Sequence, residues 1–180
     1  NGKRVILIDS NKDFIAQAIK SDLEAFQIDI YHQDLSDNIE LNDVGYLIAM
    51  TGSEAVNTYA VDSFSKYFGE QGSYRLATSK EVLDTDLPVE NQTKFFTPKD
   101  DYLNLSEAYR DNPEIHEIEI TTEKAYRKVL SKCFNELKSV PLFVKKGGKL
   151  FLIPEFEKLE VPKDNCTLIY LGKECKILEV

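Results

Sequence analysis

Arg4-Val5-Ile6-Leu7-Ile8-Asp9, followed at once by Ser10-Asn11-Lys12-Asp13, is the stretch on which the fold turns. A run of apolar residues closing on an acid reads as a strand buried on both faces, as parallel strands are. Residues 10–13 resemble a capping box with an acid in the Glu position. The helix they open is predicted to run to about Phe26, with Ile15, Ala18, Ile19, Leu23 and Phe26 on one face. A short strand at 28–32 and a polar stretch at 34–42 follow.

Tyr46-Leu47-Ile48-Ala49-Met50 reads as a second buried strand, and Thr51-Gly52-Ser53 as the turn after it, with Ser53 able to cap the next helix. That helix is predicted to reach Phe68, with Val56, Ala60, Phe64 and Tyr67 as its stripe and Gly69 and Gly72 as its stop. Residues 73–77 are a further strand. The order β-α-β-β-α-β implies a parallel sheet with right-handed crossovers.

Beyond residue 78 the pattern changes. Residues 79–112 are polar, carry Pro88 and Pro98, and read as a connecting segment with a possible strand at 93–96 and a short helix at 101–109. From Pro113 a small α+β module is expected over 113–180. In it Ile115, Glu117 and Glu119 alternate with His116, Ile118 and Ile120, and Thr122 caps a helix to about Leu137 with Tyr126, Leu130, Cys133, Phe134 and Leu137 on one side. Gly147-Gly148, between strands at 140–145 and 149–153, is a strong hairpin signal. Residues 167–171 and 175–178 suggest a second hairpin.

Composition limits the function. An apolar fraction of 42% suffices for a buried core in 180 residues, and a net charge of −9 repels phosphate backbones and anionic lipid, so no nucleic acid partner is expected. No stretch approaches the ~20 apolar residues that span a bilayer. Cys133, Cys166 and Cys175 are odd in number, without a CxxC pair. In the second hairpin Cys175 would face Tyr170, leaving Cys166 ~13 Å away, beyond disulfide reach. Reduced, cytosolic, core-filling thiols are expected.

Asp9 closes a strand and precedes a helix, as does the acid that bonds the ribose hydroxyl in a nucleotide-binding βαβ unit. The alternative is an acid that solvates a strand end and faces a helix N-terminus. The phosphate-binding glycine loop belongs about 20 residues earlier. The one adjacent glycine pair, Gly147-Gly148, sits in a hairpin and cannot serve.

Several further residues give the first half a family likeness. Gln33-Asp34-Leu35-Ser36 stands where RCK (TrkA-N) domains carry Gly-Asp-Ala-Thr, with Gln33 in place of the glycine. Ala49-Met50-Thr51-Gly52-Ser53-Glu54-Ala55-Val56-Asn57 is similar to the A-x-T-x-[DN]-[DE]-x-N segment of those domains, and Arg75-Leu76-Ala77 fits their fifth strand. Residues 3–78 thus resemble the RCK domains of potassium channels, potassium uptake systems and sodium/proton antiporters, with the match beginning at the second strand. Pro141-Leu142-Phe143-Val144, the glycine hairpin and residues 164–172 are similar to tails of cation/proton antiporters.

The resemblance implies a Rossmann-like parallel sheet lacking its first strand over residues 1–78, a connection at 79–112, and the α+β module. It implies a cytosolic regulatory domain of a monovalent cation/proton antiporter, at the cytoplasmic face of the cell membrane, with the transport domain upstream in the same polypeptide and no insertion of this part into the bilayer. A homodimer is expected. Asp9, Asp34, Thr51, Gly52 and Asn57 become the candidate ligand-binding residues, for NAD(H) or an adenine nucleotide in the intact protein and no cofactor in this fragment. Asp34 and Thr51, expected at strand C-termini, line a ligand cleft or serve ordinary turn chemistry. Asn57 bonds the Thr51 turn or touches ligand. In the strand order 3-2-1-4-5, loss of strand one leaves open edges on strands two and four. Those two are expected to pair directly or to receive a strand from another chain.

No catalytic or metal-binding set stands out. His32 and His116 lack ligand spacing, and the glutamates at 114–119 and 155–160 read as solvated faces or a weak cation-sensing patch. A rival reading, part of an NAD(P)-dependent oxidoreductase, would need an actor such as Lys124, Tyr126 or Lys128. A third, an interaction scaffold with a decayed pocket, is favoured by Gln33.

Overall fold

The computed structural model describes residues 3–68, 72–83, 96, 101–137 and 139–175. The first half is built from β1 (Ile6–Asp9), α1 (Lys12–Lys20), β2 (Glu24–Gln27), a 3₁₀ turn (Leu35–Asp37), β3 (Leu47–Ala49), α2 (Glu54–Phe68) and β4 (Ser73–Arg75). β1 pairs in parallel with β2 in the register Ile6↔Glu24, and β3 in parallel with β4 in the register Leu47↔Ser73. The Rossmann-like α/β reading holds for this half.

The elements differ locally from the expected ones. α1 is capped by Asn11, not Ser10: the Asn11 side chain accepts from the Asp13 N–H at 2.8 Å. It stops at Lys20 because Ser21 and Asp22 close it, Asp22 taking a left-handed φ of 57° that aspartate tolerates better than most residues. The strand expected at 28–32 therefore forms earlier, at Glu24–Gln27. Ile28 ends the ladder by donating to the Asp9 carbonyl at 3.1 Å, and Asp29 turns the chain by accepting from the Tyr31 N–H at 3.0 Å.

The expected direct pairing of the two inner strands does not occur. β1 and β3 belong to separate two-stranded sheets, so among the described residues each has a single strand neighbour. All four residues of β1 are half-buried, unlike a strand enclosed on both sides. What holds the two pairs together is side-chain packing. Ile6, Ile8 and Leu47 pack against a core of Ile28, Leu35, Ala49, Ala60, Val61 and Phe64. Arg4 adds a clasp across the bottom, donating to the Glu24 carboxylate at 2.6 Å and to the Glu40 carbonyl at 3.0 Å.

The connecting segment contributes α3 (Ser79–Leu83) and α4 (Tyr102–Asp111). The possible strand at 93–96 lies outside the described residues except for Phe96, which is buried. The C-terminal module comprises β5 (Ile115–Ile120), α5 (Glu123–Lys132, prolonged by a π-turn over Cys133–Leu137), β6 (Val140–Lys146), β7 (Lys149–Leu152), α6 (Ile153–Lys158) and β8 (Cys166–Leu171). Its sheet is antiparallel in the order β5-β8-β6-β7. The glycine hairpin forms as expected, with Gly147 at φ 57° and Gly148 at φ 76° between Lys146 and Lys149. β8 is flanked by β5 and β6, so its partners are not a hairpin strand, and residues 176–178 of the second expected hairpin lie outside the described residues. α6 was not foreseen; Pro154, in its first turn, fits a helix start.

α5 and α6 cover one face of this sheet around Tyr126, Phe156, Leu168 and Cys133. A second cluster joins the halves, bringing Tyr74 and Leu76 together with Ala108 of α4 and with Val140, Leu142, Leu152 and Leu171. Tyr46 reaches across as well, its hydroxyl donating to Glu155 at 3.2 Å.

Candidate functional site

β1 ends on Asp9, and β3 runs at its C-terminal end into the Thr51 turn. In open α/β sheets such strand ends are where the crevice for a ligand lies. Asp9 ends β1, and its Oδ1 accepts from the Asn11 N–H at 2.7 Å, which points the carboxylate toward the start of α1. Among the described residues its other oxygen makes no hydrogen bond.

The turn after β3 is clasped by Asn57 from the first turn of α2. Asn57 is 4% exposed. Its Oδ1 accepts from the Thr51 N–H at 2.8 Å and the Thr51 hydroxyl at 2.9 Å, and its Nδ2 donates to the Thr51 carbonyl at 2.9 Å. The Ser53 side chain accepts from the Val56 N–H at 3.3 Å and so caps α2. Asn57 thereby sets the turn's shape. Gly52 at its tip meets an aromatic ring: a Cβ there would lie 3.2 Å from Tyr102 Cε1.

Asp34 is not at this edge. It caps the 3₁₀ turn Leu35–Asp37 and lies against the last turn of α2, where the Tyr67 hydroxyl donates to it at 2.7 Å and Lys66 Nζ at 3.2 Å. α2 leads away from the β3 turn, so the ten residues from Asn57 to Tyr67 put Asp34 roughly 15 Å from Thr51 at ~1.5 Å per residue. The early placement of β2 causes this: the chain leaves the strand ends at Ile28 and runs down the length of α2 before reaching Asp34. Gln33, in the glycine position of the motif, accepts from the Asp29 N–H at 3.0 Å and stabilises that descent.

The Tyr67 hydroxyl, with the Ser36 N–H and hydroxyl and Lys66, holds the Asp34 carboxyl well below the usual carboxylate range. A depressed folded-state pKa means that Asp34 contributes its full stabilisation above its unfolded value of ~3.9 and loses it as the pH falls below that. Tyr67→Phe removes the largest cause. A carbon-detected NMR titration is expected to show the Asp34 midpoint moving up toward the ordinary carboxylate value; an unmoved midpoint would remove Tyr67 as the cause.

Residues that the sequence did not single out complete the edge. Arg75 and Glu81 form a two-pronged ion pair at 2.9 and 3.0 Å, and the same carboxylate accepts from the Thr78 N–H at 2.8 Å. Asp101, 7% exposed, accepts from the Ser79 hydroxyl at 3.0 Å and the Asn104 N–H at 2.9 Å. Ser79 donates its N–H to Glu54 at 2.8 Å. A short helix was expected at 101–109, but nothing in the spacing of Tyr102 and Gly52, fifty residues apart, announced their contact.

Of the three residues named for an enzyme, Lys124 and Lys128 are exposed and Tyr126 is buried. Tyr126 is 1% exposed, and burial together with its 2.6 Å hydrogen bond to Glu157 pushes its phenol far above the ordinary range. The three cysteines are free and buried, with burial pushing the Cys133 thiol up to about 12. Among the described residues no group of three His, Cys, Asp or Glu is placed to hold a metal, and no helix is long and apolar enough to cross a membrane. A concavity of about 340 Å³ opens by Thr121, the Gly147-Gly148 turn and Cys166, and none of the candidate residues lines it.

No curated protein and no solved structure matches the chain. The family model of the TrkA-N domain does match, over the two parallel strand pairs, the Asp9 strand end and the Asn57 clasp. It matches residues 1–81, so this part of the chain is similar to a TrkA-N domain.

Proposed function

We propose that this chain is the ligand-sensing, regulatory part of a membrane transporter of monovalent cations, a cation/proton antiporter, and that it acts by binding rather than by chemistry of its own. The similarity to a TrkA-N domain over residues 1–81 carries this reading. The C-terminal module's resemblance to antiporter tails points to the antiporter branch.

In this reading a strand that precedes Asn1 in the same polypeptide enters between β1 and β3. It completes the sheet and brings a glycine turn to the Asp9 edge, where backbone N–H groups at a helix start hold phosphate. The open edge of half-buried β1 supports such a partner. Asp9 then takes the ribose hydroxyls of NAD(H) or an adenine nucleotide, and the turn held by Asn57 closes the other side. Asp34, at the far end of α2, has no part in this cleft. A ligand that prefers one of two domain arrangements shifts the transporter between states by that difference in affinity. The domain works as a homodimer at the cytoplasmic face of the membrane.

The coding sequence upstream of Asn1 tests the transporter assignment. It is expected to hold a series of apolar segments of ~20 residues each. A catalytic domain in that position would replace this reading with the oxidoreductase one.

A further inference from the structure

Tyr102 opens α4 and lays the edge of its ring on Gly52, while 45% of the residue stays exposed. The start of α4 is fixed to the same strand edge by polar contacts. Asp101 bridges Ala77 beyond β4, and its carboxylate holds Ser79 Oγ, whose residue is tied through its N–H to Glu54 in the first turn of α2. The rest of α4 leaves the edge. Leu105 and Ala108 pack in the cluster that joins Leu76 to Val140 and Leu142 of the C-terminal sheet.

We propose that Tyr102 is a ligand-contact residue of the strand-edge site and that α4 carries occupancy of that site to the C-terminal module; this rests on the regulatory reading above. The chemistry is that of a planar ring. A ligand seated against the Thr51-Gly52-Ser53 turn meets the exposed part of Tyr102, and a purine or nicotinamide ring stacks on tyrosine. Gly52 is the residue type that lets both ring and ligand approach the backbone, since a Cβ would already press on Cε1 at 3.2 Å. Asp101 and Asn104 tie the first turn of α4 together, so a backbone shift at Tyr102 moves that turn as one unit. A displacement there is passed to Leu105 and Ala108, one to two turns further on.

The test uses the chain lengthened by about 30 residues upstream, the span of a βαβ unit, with NAD and ADP as probes. Binding and amide hydrogen exchange are measured for the unaltered chain, Tyr102→Phe and Tyr102→Ala. In the unaltered chain and in Tyr102→Phe, a saturating probe is expected to slow exchange in 53–57, in α4 and in 140–143. In Tyr102→Ala the affinity is expected to fall about tenfold, the loss of one stacking contact. At saturation the 53–57 response is expected to persist while those of α4 and 140–143 vanish. A probe that binds Tyr102→Ala with unchanged affinity and still slows exchange in 140–143 overturns this proposal and leaves the regulatory reading standing. A folded chain that binds neither probe overturns both.

Discussion

Asn57→Ala is expected to destabilise the protein by about 2 kcal/mol, the sum of partial losses from donor and acceptor groups left unpaired. The side chain is 4% exposed and makes three hydrogen bonds to one residue, Thr51. Truncation strands the Thr51 N–H and carbonyl together. Thr51 itself is exposed, so water meets part of the loss and keeps it below the full cost of two buried orphans. Asn57→Asp separates the roles. It keeps the acceptor for the Thr51 N–H but turns a carboxylate oxygen toward the Thr51 carbonyl. Its stability is therefore expected to recover as the pH falls and the carboxyl becomes a donor. Urea unfolding of both variants at pH 7 and pH 4 measures this. A loss below ~0.5 kcal/mol, the range of neutral surface changes, would show that the clasp does not shape the turn.

Phe156→Ala is expected to cost about 3–5 kcal/mol, the range for a buried phenylalanine. Phe156 is fully buried between Tyr126 and Phe151, with ring centroids 5.7 and 5.8 Å away. Lys163 Nζ sits 4.5 Å above the ring and donates to the Phe156 carbonyl and, at 2.8 Å, to that of Leu159, closing the end of α6 with a positive charge. The alanine variant thus opens a cavity and takes the ring from under a buried cation. Against a total stability of ~5–15 kcal/mol this unfolds a measurable fraction at 37 °C. Thermal unfolding followed by circular dichroism measures it, with Phe156→Leu as the milder comparison. A loss under ~1 kcal/mol would place the centre of the C-terminal core elsewhere.

Much of this architecture was legible because its signals are local and periodic. The apolar run into Asp9, the Thr51 turn opening α2, the Thr122 cap and the Gly147-Gly148 hairpin all lie where the sequence put them. The errors came where two local signals competed. α1 and β2 were misjudged because Leu23 and Phe26 fit a helical stripe as well as a strand; the left-handed turn at Asp22 decided between them. That shift of a few residues carried Asp34 from the strand edge to the end of α2. Other features are tertiary and leave no periodic trace: Tyr102 on Gly52, Tyr46 on Glu155, and β8 taking the centre of its sheet instead of a hairpin edge. The direct pairing of β1 with β3, one of the two outcomes expected for the inner strands, is not formed among the described residues.

Nucleotide calorimetry on the chain lengthened by about 30 residues upstream, with NAD, NADH, ATP, ADP and AMP and with Asp9→Ala alongside, tests the central claim most directly. The account predicts saturable binding of at least one nucleotide, weakened roughly tenfold or more by Asp9→Ala, the effect of losing a hydrogen bond to a charged group. A well-folded lengthened chain that binds none of them would contradict it and leave the Rossmann-like half as architecture for protein contacts alone.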